Sequence, residues 1–167
     1  MPPDDFNQVM APLFVTWLKD GDLRGCIGTF ADDGKLGETL AQYSLISAVR
    51  DSRFPPISDS ELPKLRCEIS ILSNFEKIAD PLDWEIGTHG IEIEFKATST
   101  GSWTYRGTFL PNVAPEQGWT TQTETLEHLI RKAGYRDGFE SVKNNFTNVR
   151  RYQSVKFGMD YSEFLRL

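Results

Sequence analysis

Cysteine and histidine are scarce: the chain holds two of each, Cys26, Cys67, His89 and His128. The two cysteines are far apart and form no C-x-x-C, which excludes a disulfide framework and a thiolate zinc site. Two histidines are too few for a multi-histidine metal centre, so no metal site is expected. No apolar run approaches the ~20 residues that span a bilayer. The start, Met1-Pro2-Pro3-Asp4-Asp5, lacks the basic and then apolar regions of a secretory leader. These absences exclude a membrane partner and predict a soluble protein of the cytoplasm and/or nucleus. Positive charge is also short: the net charge of -6 argues against broad nucleic-acid binding, which needs a basic surface to displace counterions. There is no G-x-S-x-G elbow, P-loop, dinucleotide fingerprint or internal repeat, so no cofactor is expected.

What is present is an ordinary globular composition, 39% hydrophobic and 25% charged, over 167 residues, which fits one compact domain. Residues 1–11 form a short polar N-terminal segment. The most chemically suggestive stretch is Leu23-Arg24-Gly25-Cys26-Ile27-Gly28, followed by Thr29 and Phe30. In an uninterrupted strand, Arg24, Cys26, Gly28 and Phe30 share one face. Arg24 then stands beside the thiol and favours the thiolate, and Gly28 leaves room for a ligand. The competing reading is a structural cysteine, its glycines needed because another backbone passes close by.

Residues 13–30 read as a hairpin turning at Asp20-Gly21, and Asp32-Asp33-Gly34 offers a turn and a helix cap. Leu36–Val49 reads as a helix with a wide apolar arc, expected to be largely buried. It ends in Arg50-Asp51-Ser52-Arg53-Phe54 before Pro55-Pro56, where Asp51 and Arg53 either orient a ligand or form a surface ion pair at a helix end. Leu65, Cys67, Ile69 and Ile71 alternate with polar residues in a strand that gives Cys67 a packing role. His89, between Gly87 and Gly90, is the better acid/base candidate of the two histidines; the alternative is a loop histidine bonding backbone. Residues 91–109 read as a second hairpin, in which Glu92 and Glu94 are explained by solvation of a sheet face. Thr121 and Glu124 have capping-box spacing ahead of a helix that stops at Gly134. The segment around Arg150, Arg151 and Lys156 reads as a solvated edge strand.

The Leu23–Phe30 stretch resembles the signature of the AMMECR1 domain family. Asp51-Ser52-Arg53-Phe54-Pro55-Pro56, Leu82–Gly87 with His89-Gly90-Ile91, Val113–Trp119 and Leu129–Tyr135 resemble further family blocks in the same order. The resemblance covers nearly the whole chain, 1–167, as a single AMMECR1-like domain. It implies an α/β fold of the α+β type: mostly antiparallel sheets flanked by helices, one compact domain with two unequal lobes whose groove displays the signature. Members often carry an extra helical segment before the stretch matching Pro12–Trp17. The resemblance implies no established activity. Prokaryotic members are associated with Memo-like domains and radical-SAM proteins, and eukaryotic members are treated as regulatory or interaction proteins.

Two functions are therefore carried forward. The first is a regulatory module that binds a small polar ligand or a protein, Memo-like proteins being the class the family association implies, through Arg24, Gly25, Gly28, Asp51 and Arg53. The second is a cysteine-dependent enzyme with Cys26 as nucleophile and His89 as acid or base.

Overall fold

The computed structural model describes residues 9–31 and 34–167. Most of the short polar N-terminal segment, and the Asp32-Asp33 part of the expected helix cap, lie outside the described residues. Six strands, β1 (Leu13–Lys19), β2 (Asp22–Thr29), β3 (Leu65–Lys77), β4 (Gly90–Lys96), β5 (Thr104–Phe109) and β6 (Phe146–Asp160), are hydrogen-bonded in the order β2-β1-β3-β6-β4-β5, and the β1–β2, β1–β3, β4–β5 and β4–β6 pairs are antiparallel. The chain divides into two compact units, Met1–Ser73 with Val155–Leu167, and Asn74–Ser154. Two long strands, β3 (Leu65–Lys77) and β6 (Phe146–Asp160), contribute to both.

The first unit is built on the hairpin of β1 (Leu13–Lys19) and β2 (Asp22–Thr29). Its turn residues Asp20 and Gly21 have φ of 51° and 89°, the left-handed pair that a two-residue hairpin turn requires. The helix α1 (Leu36–Val49) covers one face, where Leu13, Val15 and Leu36 are buried with Leu40, Tyr43, Cys67 and Ile71 packed against them. Full burial of side chains such as Leu13 and Val15 contributes roughly 1.5–3 kcal/mol each.

The helix is less buried than its apolar content predicts. Leu45 and Val49 are exposed, whereas Ser47 is wholly buried. The reason is local: α1 approaches the sheet through small side chains. Trp17 Nε1 donates to the Ser44 carbonyl at 3.1 Å. A Cβ at Gly25 would collide with the Ser47 carbonyl oxygen. Ser44 and Ser47 turn their hydroxyls onto helix carbonyls at 2.7 Å, leaving no buried donor unpaired. A leucine stripe in their place would hold the helix too far out for this contact.

In the second unit, β4 (Gly90–Lys96) pairs with β5 (Thr104–Phe109) on one side and β6 on the other. Ile91, Ile93 and Phe95 from β4 meet Leu126, Leu129 and Ile130 from α3 (Gln122–Lys132) in a buried cluster. The Thr121 side chain caps α3 by accepting from Glu124 N at 3.1 Å, and Gly134, at φ 97°, ends it. The reciprocal arm of the expected capping box is displaced by one residue, since the Glu124 carboxylate accepts from Thr120 N. Short helices α2 (Val113–Glu116) and α4 (Phe139–Val142) complete this unit.

Glu92 and Glu94 are paired across strands with Arg150 and Arg106 at 2.6 and 2.8 Å. Arg150 and Arg151 were expected on an edge, but in this unit β6 lies between β3 and β4. Arg151 reaches Glu76 and Asp83. No helix among the described residues is long and apolar enough to cross a membrane.

The Gly25 contact is testable. Gly25→Ala should lower stability by ~1–3 kcal/mol in urea unfolding, the range for forcing extra volume into a packed contact. Gly21→Ala, with nothing within 4 Å, should suffer only from its positive φ.

Candidate functional site

One extra residue in β2 positions the site. Lys19 pairs with Asp22 and Leu18 with Leu23, as the two-residue turn dictates, but Trp17 then faces Gly25 rather than Arg24. Arg24 is therefore the additional residue of a β-bulge. An uninterrupted ladder would have set Cys26 opposite Val15, whose side chain is 0% exposed in the core. The bulge sets it opposite Thr16 and turns the half-buried thiol to the sheet face away from α1. Thr16 Oγ1 donates to Cys26 Sγ at 3.1 Å. Thr16 also faces Glu68 on β3, and Glu68 is in turn paired with Arg66 at 3.3 Å and Lys156 at 3.1 Å. The thiol thus sits at the end of a polar row.

The loop after α1 locks onto this strand. Asp51 Oδ2 accepts from Cys26 N at 2.9 Å and from Arg53 Nη2 at 2.7 Å. Asp51 Oδ1 accepts from Arg53 N at 3.1 Å and Nε at 2.9 Å. Arg53 Nη2 also donates to the Cys26 carbonyl at 3.2 Å. The Asp51 side chain is only 6% exposed, that of Arg53 55%. The Arg53 guanidinium, followed by the backbone donors Cys26 N and Arg53 N, holds the Asp51 carboxyl well below the usual carboxylate range against the opposing effect of burial. Arg53 Nη1 makes no hydrogen bond among the described residues.

Arg24 takes a different place from the one strict alternation predicts. Its Nε and Nη2 bind the two Glu61 oxygens at 2.9 and 3.1 Å, and Nη1 donates to the Pro55 carbonyl at 2.8 Å. Lys19 joins Glu61 at 2.9 Å, and Arg24, then Lys19, hold that carboxyl well below its ordinary value. Arg24 consequently ties β2 to the loop at Pro55 and to the 3-10 turn Asp59–Lys64.

Gly28 does not leave the open space expected of it. A Cβ at Gly28 would meet the Leu13 carbonyl and the Phe14 ring. With Gly25 held under α1, both glycines serve close approach. His89 belongs to the second unit, where its Nδ1 accepts from Glu85 N at 3.1 Å and its backbone N–H donates to the Glu85 carbonyl at 2.9 Å. That is the backbone-bonding loop histidine. Cys67 lies on the α1 face opposite Trp17 and lines an apolar cavity of about 270 Å³ with Leu62, Leu65, Met159 and Phe164. Burial pushes its thiol up to about 11. Among the described residues no group of three or more His, Cys, Asp or Glu side chains could hold a metal ion.

Sequence reasoning missed Thr16 and Glu61. The hairpin turn alone signals Gly25 as the partner of Thr16, so only the bulge reveals the contact with Cys26. For Glu61 the available signal was Ser58, three residues ahead in a capping box.

The antiparallel sheet with its packed helices puts the protein in the α+β class, with a cysteine on an outer strand locked by an Asp-Arg pair to the loop after a helix. The AMMECR1 family profile matches residues 2–157, and the chain belongs to that family. An uncharacterized protein of Arabidopsis thaliana is 44% identical over 169 residues, covering 98% of this chain and 78% of the relative. An uncharacterized protein of Kluyveromyces lactis is 48% identical, covering 92% of this chain and 74% of its own. The crystal structure of an uncharacterized protein from Pyrococcus horikoshii is similar with a TM-score of 0.79 at 29% identity, over 96% of this chain and 81% of that one.

The depressed Asp51 value gives a signed pH dependence. Its contribution is present above the unfolded carboxylate value of ~3.9 and is lost as pH falls through the lower folded value. Asp51→Asn should therefore cost ~1–3 kcal/mol at neutral pH. The gap between wild type and variant in chemical denaturation should close progressively in the acid range.

Proposed function

We propose that this chain is a regulatory module that binds a small polar ligand or a protein segment through the surface formed by Leu23–Gly28, Asp51 and Arg53. The observation that carries the reading is the one-sided use of Arg53. Its Nε and Nη2 are bound to Asp51, while the side chain remains 55% exposed beside Cys26. A cation fixed by a buried carboxylate is pre-organised to receive a ligand carboxylate or other anion. Asp51 itself accepts four hydrogen bonds and is held ionised, so it is a poor general base. Binding explains this arrangement more directly than turnover does. Gly25 and Gly28 shape the site by letting helix and strand close on it. Memo-like proteins are the partner class that family association offers, and two free cysteines suit the reducing cytoplasm or nucleus.

A second reading, a cysteine-dependent enzyme with Cys26 as nucleophile and His89 as acid or base, is favoured by one contact: the Thr16 hydroxyl donates to the sulfur.

Two alkylating probes separate these readings in a Cys67→Ala background. If Arg53 recruits anions, iodoacetate should gain on neutral iodoacetamide at Cys26, and Arg53→Gln should reduce their rate ratio by roughly fivefold, the ~1 kcal/mol of a charge pair near water. An unchanged ratio in a folded variant removes the binding reading. The enzyme reading instead requires iodoacetamide to react with Cys26 at pH well below the ordinary thiol value of ~8.5. A midpoint at that ordinary value sinks it.

A further inference from the structure

The last part of β6 is an edge of unusual composition. Its pairing with β4 ends at Gly90 and Tyr152, both in the second unit. From Val155 to Asp160, in the first unit, β6 runs beside β3 alone. Lys156 pairs with Glu68 at 3.1 Å, and the Gly158 backbone lies against the Arg66 guanidinium. Among the described residues no strand pairs with its other side.

Exposed edges are ordinarily blunted by proline, bulges or charges. This one reads Val-Lys-Phe-Gly-Met-Asp, with no proline, and each of its two charges has a partner in the same unit, Lys156 at Glu68 and Asp160 at Arg66. Val155 is 70% and Phe157 62% exposed, large apolar side chains left in water on one face of the strand.

We propose that this edge is a homodimer interface, in which Lys156–Asp160 pairs antiparallel with the same segment of a second copy about a two-fold axis at Gly158. The sequence is self-complementary about that residue. In the paired arrangement Lys156 faces Asp160 of the second copy, and Phe157 faces Met159. By symmetry each contact occurs twice, as an isologous interface requires. Directly opposed opposite charges and apolar pairs are the interactions that stabilise antiparallel neighbours. Glycine sits where identical residues meet on the axis, so no side chains collide there. The intrachain partners of Lys156 and Asp160 do not prevent the new contacts. Lys156 carries three donors, and the Asp160 carboxylate, 3.4 Å from Arg66, has further acceptor sites. Within the first unit β1 and β3 separate β6 from β2, so this surface is distinct from the one at Cys26.

The test is sedimentation velocity of the full chain over a concentration series. Wild type should pass from monomer toward twice the monomer mass. Lys156→Asp and Asp160→Lys should each lose association, because the first opposes two aspartates and the second two lysines. Mixed in equal amounts, the two variants should regain it, since each carries the charge the other lacks. A wild type that stays monomeric at every concentration overturns the proposal. So does a dimer that both single variants retain. Should either charge variant fail to fold by circular dichroism, Phe157→Gln decides, because that side chain is exposed and has no ion pair: loss of association supports the interface, and retention overturns it.

Discussion

The placement of the site depends on a constraint worth one residue of chain. The turn at Asp20 and Gly21 starts the hairpin in a register that would drive Cys26 into the core against Val15. The bulge at Arg24 moves the thiol to the polar face, opposite Thr16. A slip of one residue exchanges every side chain between faces, so the same sequence without the bulge would have an inert, packed cysteine and no cluster. Arg24 anchors the displacement through Glu61 and the Pro55 carbonyl. Gly25, next to it, lets the strand lie under the Ser47 carbonyl. Three neighbouring residues thus do separate jobs: one makes the bulge, one admits the helix and one presents sulfur.

Much of the fold was legible because it rests on short-range signals. Asp20-Gly21, the alternation from Leu65 to Ile71, and Thr121 with Gly134 each mark an element by mechanisms that act within a few residues. Cys67 was placed correctly in the apolar set for the same reason. The face of Cys26 was less accessible. Strict alternation put Arg24 beside the thiol, and a glycine within a strand, such as Gly25, marks either a bulge or a close backbone approach without saying which. The burial of α1 was overestimated because hydrophobic content does not say which stripe faces the sheet. Ser44 and Ser47 hold that place, and Leu45 does not. Asp51 and Arg53 were recognised as a pair, while their hold on both backbone groups of Cys26 is a long-range contact that only folding reveals.

The arginines beside the signature stretch are of two kinds. Glu61 and Arg24 join a strand to a turn with little exposure, 13% and 11% of their side chains. Such a pair fixes a geometry and offers little to an incoming molecule. Arg53 is bound just as firmly on one side but keeps much of its surface in solvent. Of the four arginine and carboxylate groups around the signature stretch, Arg24, Glu61, Asp51 and Arg53, it is Arg53 that joins a fixed geometry to an accessible side chain.

Asp51 and Arg53 also form a side-chain replica of a peptide group. Their carboxylate takes the Cys26 N–H and their guanidinium serves the Cys26 carbonyl, the two functions a neighbouring strand would have performed. At this point the sheet is terminated by two side chains instead of by chance exposure. For β structure to grow through this border, as in fibril formation, a newcomer must first strip a buried carboxylate of its donors. The signature stretch therefore carries its own stopper against runaway assembly.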